Sequence, residues 1–88
     1  MLDLITFYTM ANDKLQAWQL PRDTRAIKAA GRIHSDMERG FIRAEVAIAP
    51  EVIGAGSLAK LRDEGRLRTE GRDYVVQDGD VVHFLFRS

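Results

Sequence analysis

The sequence predicts an α+β fold, a mixed β-sheet with one main helix packed across it and a short second helix. Three observations carry this. Stretches 2–9 and 14–20 are rich in β-branched and aromatic residues and lie a short gap apart, as the arms of a hairpin do. Ala26, Ile27, Ala30 and Ile33 fall at helical spacing. Residues 41–48 and 81–87 alternate in side-chain character, the period of a sheet with two unlike faces.

The elements follow in order. LDLITFYT (2–9) reads as a strand, Ala11, Asn12 and Asp13 as a hairpin turn, and KLQAWQL (14–20) as the partner strand with Trp18 and Leu20 on one face. Pro21 to Thr24 is turn chemistry, and Asp23 or Thr24 is expected to cap the helix that runs to about His34. Arg25, Lys28 and Arg32 fall outside the apolar stripe and should meet water. Ser35 to Gly40 reads as a short connection. In FIRAEVAI (41–48), Ile42, Ala44, Val46 and Ile48 share one face and Arg43, Glu45 and Ala47 the other. Pro50 opens an irregular helical segment interrupted by Gly54 and Gly56, and Ser57 is placed to cap a short helix ending near Gly65. Leu67 to Thr69 read as a short strand, Glu70 to Asp73 as a turn, and YVVQ (74–77) leads to a tight Asp78-Gly79 turn. In the last strand, 81–87, Val82, Phe84 and Phe86 share one face, and Val81, His83, Leu85 and Arg87 the other. A hairpin followed by one main helix crossing a mixed sheet is the β-grasp (ubiquitin-like) order.

Eighty-eight residues point to one domain over 1–88. A chain of this size buries roughly 60–65% of the surface its unfolded form exposes, enough for one modest core. Thirteen basic residues balance thirteen acidic ones, so no long-range field draws the chain to a polyanion. Sequence-blind DNA binding is disfavoured, and no DNA specificity is expected. The absence of cysteine removes disulfides, thiolate metal sites and cysteine nucleophiles, and favours the cytoplasm over a secreted setting. MLDLITFYTM carries Asp3 and no basic leader, which argues against a signal peptide, and no apolar run approaches the roughly 20 residues that span a bilayer.

LITFYT (4–9), AWQL (17–20), AAGRIHSDMERGFIRAEV (29–46) and EGRDYVVQDGDVVHFLF (70–86) together resemble the carboxy-terminal TGS domain of the Obg-like ATPase (YchF) family, over nearly the whole chain. The resemblance implies a β-grasp of TGS type. It implies a parent with an amino-terminal P-loop domain that hydrolyses ATP in preference to GTP, an inserted coiled-coil arm, and an association with ribosomes and translational control. No GxxxxGK[ST] phosphate loop stands in this sequence, nor the family's base-specificity motif, so nucleotide chemistry is not expected in it, and a fragment of a larger ATPase is the preferred reading. The chain departs from the family at Met10 to Asp13, where a glycine-containing turn is usual. It departs again at Ala49-Pro50 and at Leu85, which puts contacts there in doubt.

Candidate sites are surfaces. The sheet face opposite the main helix should carry Tyr8, Arg43, Glu45, His83, Leu85 and Arg87, with Thr6 beside Tyr8, a mixture suited to RNA or protein contact. An ordinary solvated antiparallel face would look the same. Lys60, Arg62, Arg66, Arg68 and Arg72 form a candidate basic edge for RNA phosphates, set against Asp63, Glu64 and Glu70. Trp18 suits either base stacking or core packing. His34 and Asp36 are too few for a metal site, and His34 should close the helix by bonding free carbonyls, with Ser35 and Asp36 capping the following turn. Asp78 and Asp80 flank a turn glycine, where aspartate ordinarily serves the turn. No catalytic constellation and no cofactor is implied. Three functions follow: an interaction module engaging ribosome or RNA, a protein-binding regulator docking on the ATPase or coiled-coil part of its own parent, and a ubiquitin-like carrier. The last normally ends in Gly-Gly, whereas this chain ends Phe86-Arg87-Ser88.

Overall fold

The computed structural model describes residues 3–11 and 14–87. β1 (Leu4–Ala11) and β2 (Lys14–Pro21) pair antiparallel in unbroken register from Leu4↔Pro21 to Ala11↔Lys14. Ala11 therefore belongs to the strand; the rest of the expected turn, Asn12 and Asp13, lies outside the described residues, as does Leu2. α1 (Ala26–Ile33) and α2 (Ser35–Arg39) lead into β3 (Phe41–Ile48), α3 (Ala49–Ala55) and α4 (Leu58–Asp63) follow, and β4 (Arg68–Glu70) and β5 (Asp80–Phe86) complete the sheet. Its order is β2-β1-β5-β3-β4. β5 lies at the centre, parallel to β1 and antiparallel to β3, which is the β-grasp arrangement.

One face of the sheet packs on α1. Ile5, Phe7, Leu20, Ala44, Val46, Val82 and Phe84 meet Ala26, Ala29 and Ala30, all buried. Three alanines let the helix backbone come close, while the bulk comes from the sheet: Phe84 stands edge-on to Phe7, ring centres 6.2 Å apart at 84°. Neither Asp23 nor Thr24 caps α1. Asp23 takes a left-handed φ of 71°, and the Thr24 hydroxyl donates to the Pro21 carbonyl. The free amides of the first turn are instead met by distant carbonyls, Ala26 N–H by Tyr74 (2.7 Å) and Ile27 N–H by Arg72 (3.2 Å). No local pattern announces such a cap.

Among the described residues there are four helical segments, more than the one main and one short helix expected. Ser35 to Arg39 winds into α2 because His34 caps it: its Nδ1 accepts from Asp36 N–H at 3.1 Å, the reverse of the carbonyl-bonding role expected. α3 has Pro50 in its first turn, runs through Gly54, which was expected to interrupt it, and ends at Gly56, φ 93°; the Ser57 hydroxyl accepts from Lys60 N–H to start α4, as the sequence implied.

These last two helices cover part of the second face, where Ala47, Val81, Val52, Leu58 and Leu61 form a separate buried cluster. Ala47 and Val81, expected to face solvent, are 4% and 0% exposed for that reason. Three residues expected inward are exposed instead: Ile42 (49%), Ile48 (45%) and Phe86 (41%). A register irregularity between Phe41 and Arg43 turns Phe41 into the core in place of Ile42. Ile48 and Phe86 lie at the ends of β3 and β5, outside the α1 core cluster.

The turn at 77–80 ties the layers together. Gly79, φ 88°, donates to the Thr6 carbonyl (2.8 Å) and accepts from Ala49 N–H (3.0 Å), while Asp78 Oδ1 accepts from Thr6 N–H (2.8 Å). Among the described residues, no helix is long and apolar enough to cross a membrane.

Candidate functional site

β3 and β5 run side by side through the middle of the sheet, and α3 and α4 cover their second face only as far as Ala47 and Val81. Beyond that line two cross-strand pairs remain, Glu45↔His83 and Arg43↔Leu85. Arg43 and His83 are exposed; Glu45 and Leu85 are half-buried. Four of the six residues expected on the open face are thus brought together by strand pairing alone. Tyr8 is not among them: it packs against the α3–α4 cluster and forms part of the covered floor. Arg87 lies past the end of β5, where it borders a hollow with Asp36, Arg39 and Gly40.

Within this strip Glu45 is already engaged. Arg62 of α4 grips it with two bonds, Nη2 to Oε1 at 2.6 Å and Nε to Oε2 at 3.1 Å. Glu45 is 14% exposed at its side chain, and the Arg62 bond holds its carboxyl below the ordinary range against the opposing effect of burial. The pair fastens α4 to the sheet and leaves the outward charge of the strip with Arg43.

The basic edge resolves differently. Arg62 is taken by Glu45; Arg66 reaches Glu51 (3.4 Å) and Glu64 (3.5 Å). Arg68 lies on the α1 side of the sheet, donating to the Tyr74 hydroxyl at 3.3 Å with Glu70 and Asp80 nearby. Lys60 and Arg72 have no ion pair among the described residues. Lys60 and Arg66 share a hollow of ≈ 370 Å³ with Glu51 and Glu64, so it does not concentrate one sign of charge.

Sequence reasoning missed the Asp80 network. Asp78 does serve the turn, but Asp80 is 2% exposed and accepts from the Tyr74 hydroxyl (2.6 Å) and Gln77 N–H (2.9 Å). Its signal was strand parity: Asp80 shares a face with Val82 and Phe84 and so had to point inward. Burial and the bond to Asp80 push Tyr74 up to about 12, with Arg68 opposing. These groups are spent on one another, and the network ties the segment around Tyr74 and Gln77 to β4 and β5. Trp18 is half-buried against the α1 core, its Nε1 donating to Thr9 Oγ1 at 3.0 Å, which fits packing better than free stacking.

The family model YchF-GTPase_C, described as a protein of unknown function (DUF933), matches residues 4–87. The ribosome-binding ATPase YchF of Buchnera aphidicola subsp. Acyrthosiphon pisum is 45% identical over 98% of this chain, which covers 24% of that relative. Obg-like ATPase 1 of Caenorhabditis elegans is 46% identical over 99% of the chain and 22% of its own length. The solved structure of the Schizosaccharomyces pombe YchF GTPase superposes with a TM-score of 0.80 at 30% identity, over 93% of this chain and 22% of that one. The chain thus spans about a quarter of the length of the relatives it matches.

Proposed function

This chain belongs to the YchF GTPase C-terminal family, and we propose that it serves there as a non-catalytic interaction module of TGS type that contacts the ribosome or its RNA. Nucleotide hydrolysis falls to the rest of the parent architecture, since no phosphate loop stands in these residues. The observation that carries the reading is the uncovered strip on β3 and β5. There Arg43 stands exposed beside His83, without a carboxylate partner among the described residues, while its neighbour Glu45 is occupied by Arg62. Relatives bearing the name ribosome-binding ATPase support it. Arg43→Glu should weaken co-sedimentation with ribosomes while leaving the fold intact by circular dichroism. Undiminished co-sedimentation of the folded variant would remove the strip from the account.

A second reading has its own observation. Leu85 lies within the strip and Ile42 is exposed next to Arg43, an apolar complement suited to docking on the ATPase or coiled-coil part of the parent. Binding of that kind responds weakly to salt, whereas phosphate contacts weaken steeply as salt rises. Titration of this chain against the parent's ATPase part and against ribosomal RNA, each at low and high salt, separates the two.

A further inference from the structure

The two outer edges of the sheet are unlike. β4 is three residues long, Arg68-Thr69-Glu70, and two of the three are charged, which is how an edge is ordinarily kept from pairing with another chain. β2 is eight residues long and holds unbroken register with β1, so it has no bulge; its single charge, Lys14, and its proline, Pro21, stand at its two ends. Between them, Leu15 to Leu20 carries neither charge, proline nor bulge. Register fixes which main-chain groups this edge presents. Arg22 N–H donates to the Asp3 carbonyl at 2.8 Å, one step beyond the Leu4↔Pro21 pair. Hydrogen-bonded pairs recur at every second residue of an antiparallel ladder, so Gln16, Trp18 and Leu20 turn their amides and carbonyls toward β1. Leu15, Ala17 and Gln19 turn theirs outward. Thr6 of β1 agrees: its carbonyl and amide are spent on Gly79 and Asp78, on the side away from β2. Among the described residues, no turn, loop or cap bond reaches the main chain of Leu15, Ala17 or Gln19, and Ala17 and Gln19 are exposed.

We propose that β2 is a self-association edge: two copies of this chain pair antiparallel about a two-fold axis at Ala17, joining their five-stranded sheets into one. The occupant follows from the strand itself. With Ala17 on the axis, Leu15 falls opposite Gln19 of the other copy and Ala17 opposite its own counterpart. Outward residues then meet only outward residues, and every donor on this stretch finds an acceptor. A shift of two residues toward Pro21 would set Leu15 against a residue with no N–H. The side chain at the axis is a methyl group, small enough for the copies to meet closely. On the α1 face, half-buried Trp18 falls opposite Gln16 of the other copy, which covers more of the indole. Lys14 falls opposite Leu20 and not opposite a second cation, and Arg22, diagonal to it, is held by Asp3 at 2.7 Å. Thirteen cations against thirteen anions leave no net charge to hold two copies apart. An unrelated peptide could form the same ladder but would lack this match of β2 to itself. Because β2 is the outermost strand, the Arg43–His83 strip on β3 and β5 stays open in such a dimer, and the proposal does not rest on the reading given to that strip.

Sedimentation equilibrium of this chain, taken up to about 1 mM, should show a monomer–dimer equilibrium at the weak end of specific association, because the edge is small. Amide exchange identifies the interface. Raising the concentration should protect the amides of Leu15, Ala17 and Gln19, while those of Gln16, Trp18 and Leu20 are already bonded to β1 and change little. Ala17→Lys and Ala17→Glu each place like charges face to face on the axis and should each weaken association about fivefold or more. Mixed together at low salt, the two should associate again as a mixed dimer. Ala17→Pro removes an N–H that the monomer leaves facing outward, and should weaken association about tenfold. Ala17 is exposed, so these changes spare the core, and circular dichroism verifies each fold. The proposal is overturned if the chain stays monomeric at about 1 mM, which is also the result expected of an edge that serves a different polypeptide. A dimer that leaves Leu15, Ala17 and Gln19 unprotected, or Lys and Glu variants that associate no better mixed than apart, overturns it as well.

Discussion

Tyr74→Phe removes one oxygen and tests how the 71–79 segment is held. The hydroxyl accepts from Arg68 Nη2 at 3.3 Å and donates to Asp80 Oδ2 at 2.6 Å, and Asp80 is 2% exposed. A hydrogen bond to a charged group contributes about 1.5–3 kcal/mol, and its loss leaves a buried acceptor with one donor fewer. Arg68 Nη2 lies 3.8 Å from Asp80 Oδ1 and can move partway in, which favours the lower half of that range, about 1.5–2 kcal/mol. A domain of this length has roughly 4–13 kcal/mol of stability in total, so the loss is a visible fraction. With a urea slope of about 1 kcal/mol per molar, the unfolding midpoint should drop by about 1.5–2 M. The phenol also fixes the pH dependence. Its pKa is raised in the folded state, so its contribution is complete below the ordinary tyrosine value of 10.0 and is lost as pH rises through about 12. The difference between wild type and Tyr74→Phe should therefore close in strong alkali. Combined with Asp80→Asn in a double-mutant cycle, the coupling should exceed about 0.5 kcal/mol. A midpoint change below about 0.3 M, or simple additivity, would refute the argument that these two residues act as one device.

Gly40→Ala should destabilise by about 1–3 kcal/mol, because the new Cβ falls 1.8 Å from the Arg87 carbonyl oxygen, where backbone meets backbone. Gly31→Ala is its control: the Cβ there meets the Glu38 carboxylate oxygen at 1.9 Å, the end of a side chain that can swing away. Gly31→Ala melting should stay within about 1 kcal/mol of wild type, since helix propensity offsets a weakened exposed Lys28–Glu38 pair. Glu45→Gln should lower stability at neutral pH by at most about 1 kcal/mol, given the half-exposed Arg62. The Glu45 carboxyl is lowered in the folded state, so its contribution is present above 4.5 and is lost as pH falls through the lower folded value. Urea midpoints of wild type and Glu45→Gln should differ at about pH 6 and converge in acid; a gap that persists in strong acid would mean the Arg62 bond is not its source.

Much of the architecture was legible in the sequence because it is set by local periods. Alternation placed Ala44, Val46, Val82 and Phe84 inward, helical spacing placed Ala26 and Ala30, and Pro50, Gly56 and Ser57 punctuated the two short helices where backbone sterics require. The cross-strand company of Arg43, Glu45, His83 and Leu85 followed from the same alternation.

What alternation could not supply was which stretches of each face would be covered. A residue's period fixes the side to which it points, but its burial depends on what another part of the chain brings there. Ala47 and Val81 became core when α3 and α4 folded over them, while Ile42 was turned out by a register irregularity visible only in the pairing. The candidate basic edge was a count of charges along the chain, and Glu45, seventeen positions before Arg62, withdrew one of them across space. The cap of α1 came from Tyr74 and Arg72, far along the sequence. Each is a long-range contact, set by how whole elements pack and not by the few bonds on either side of the residue concerned.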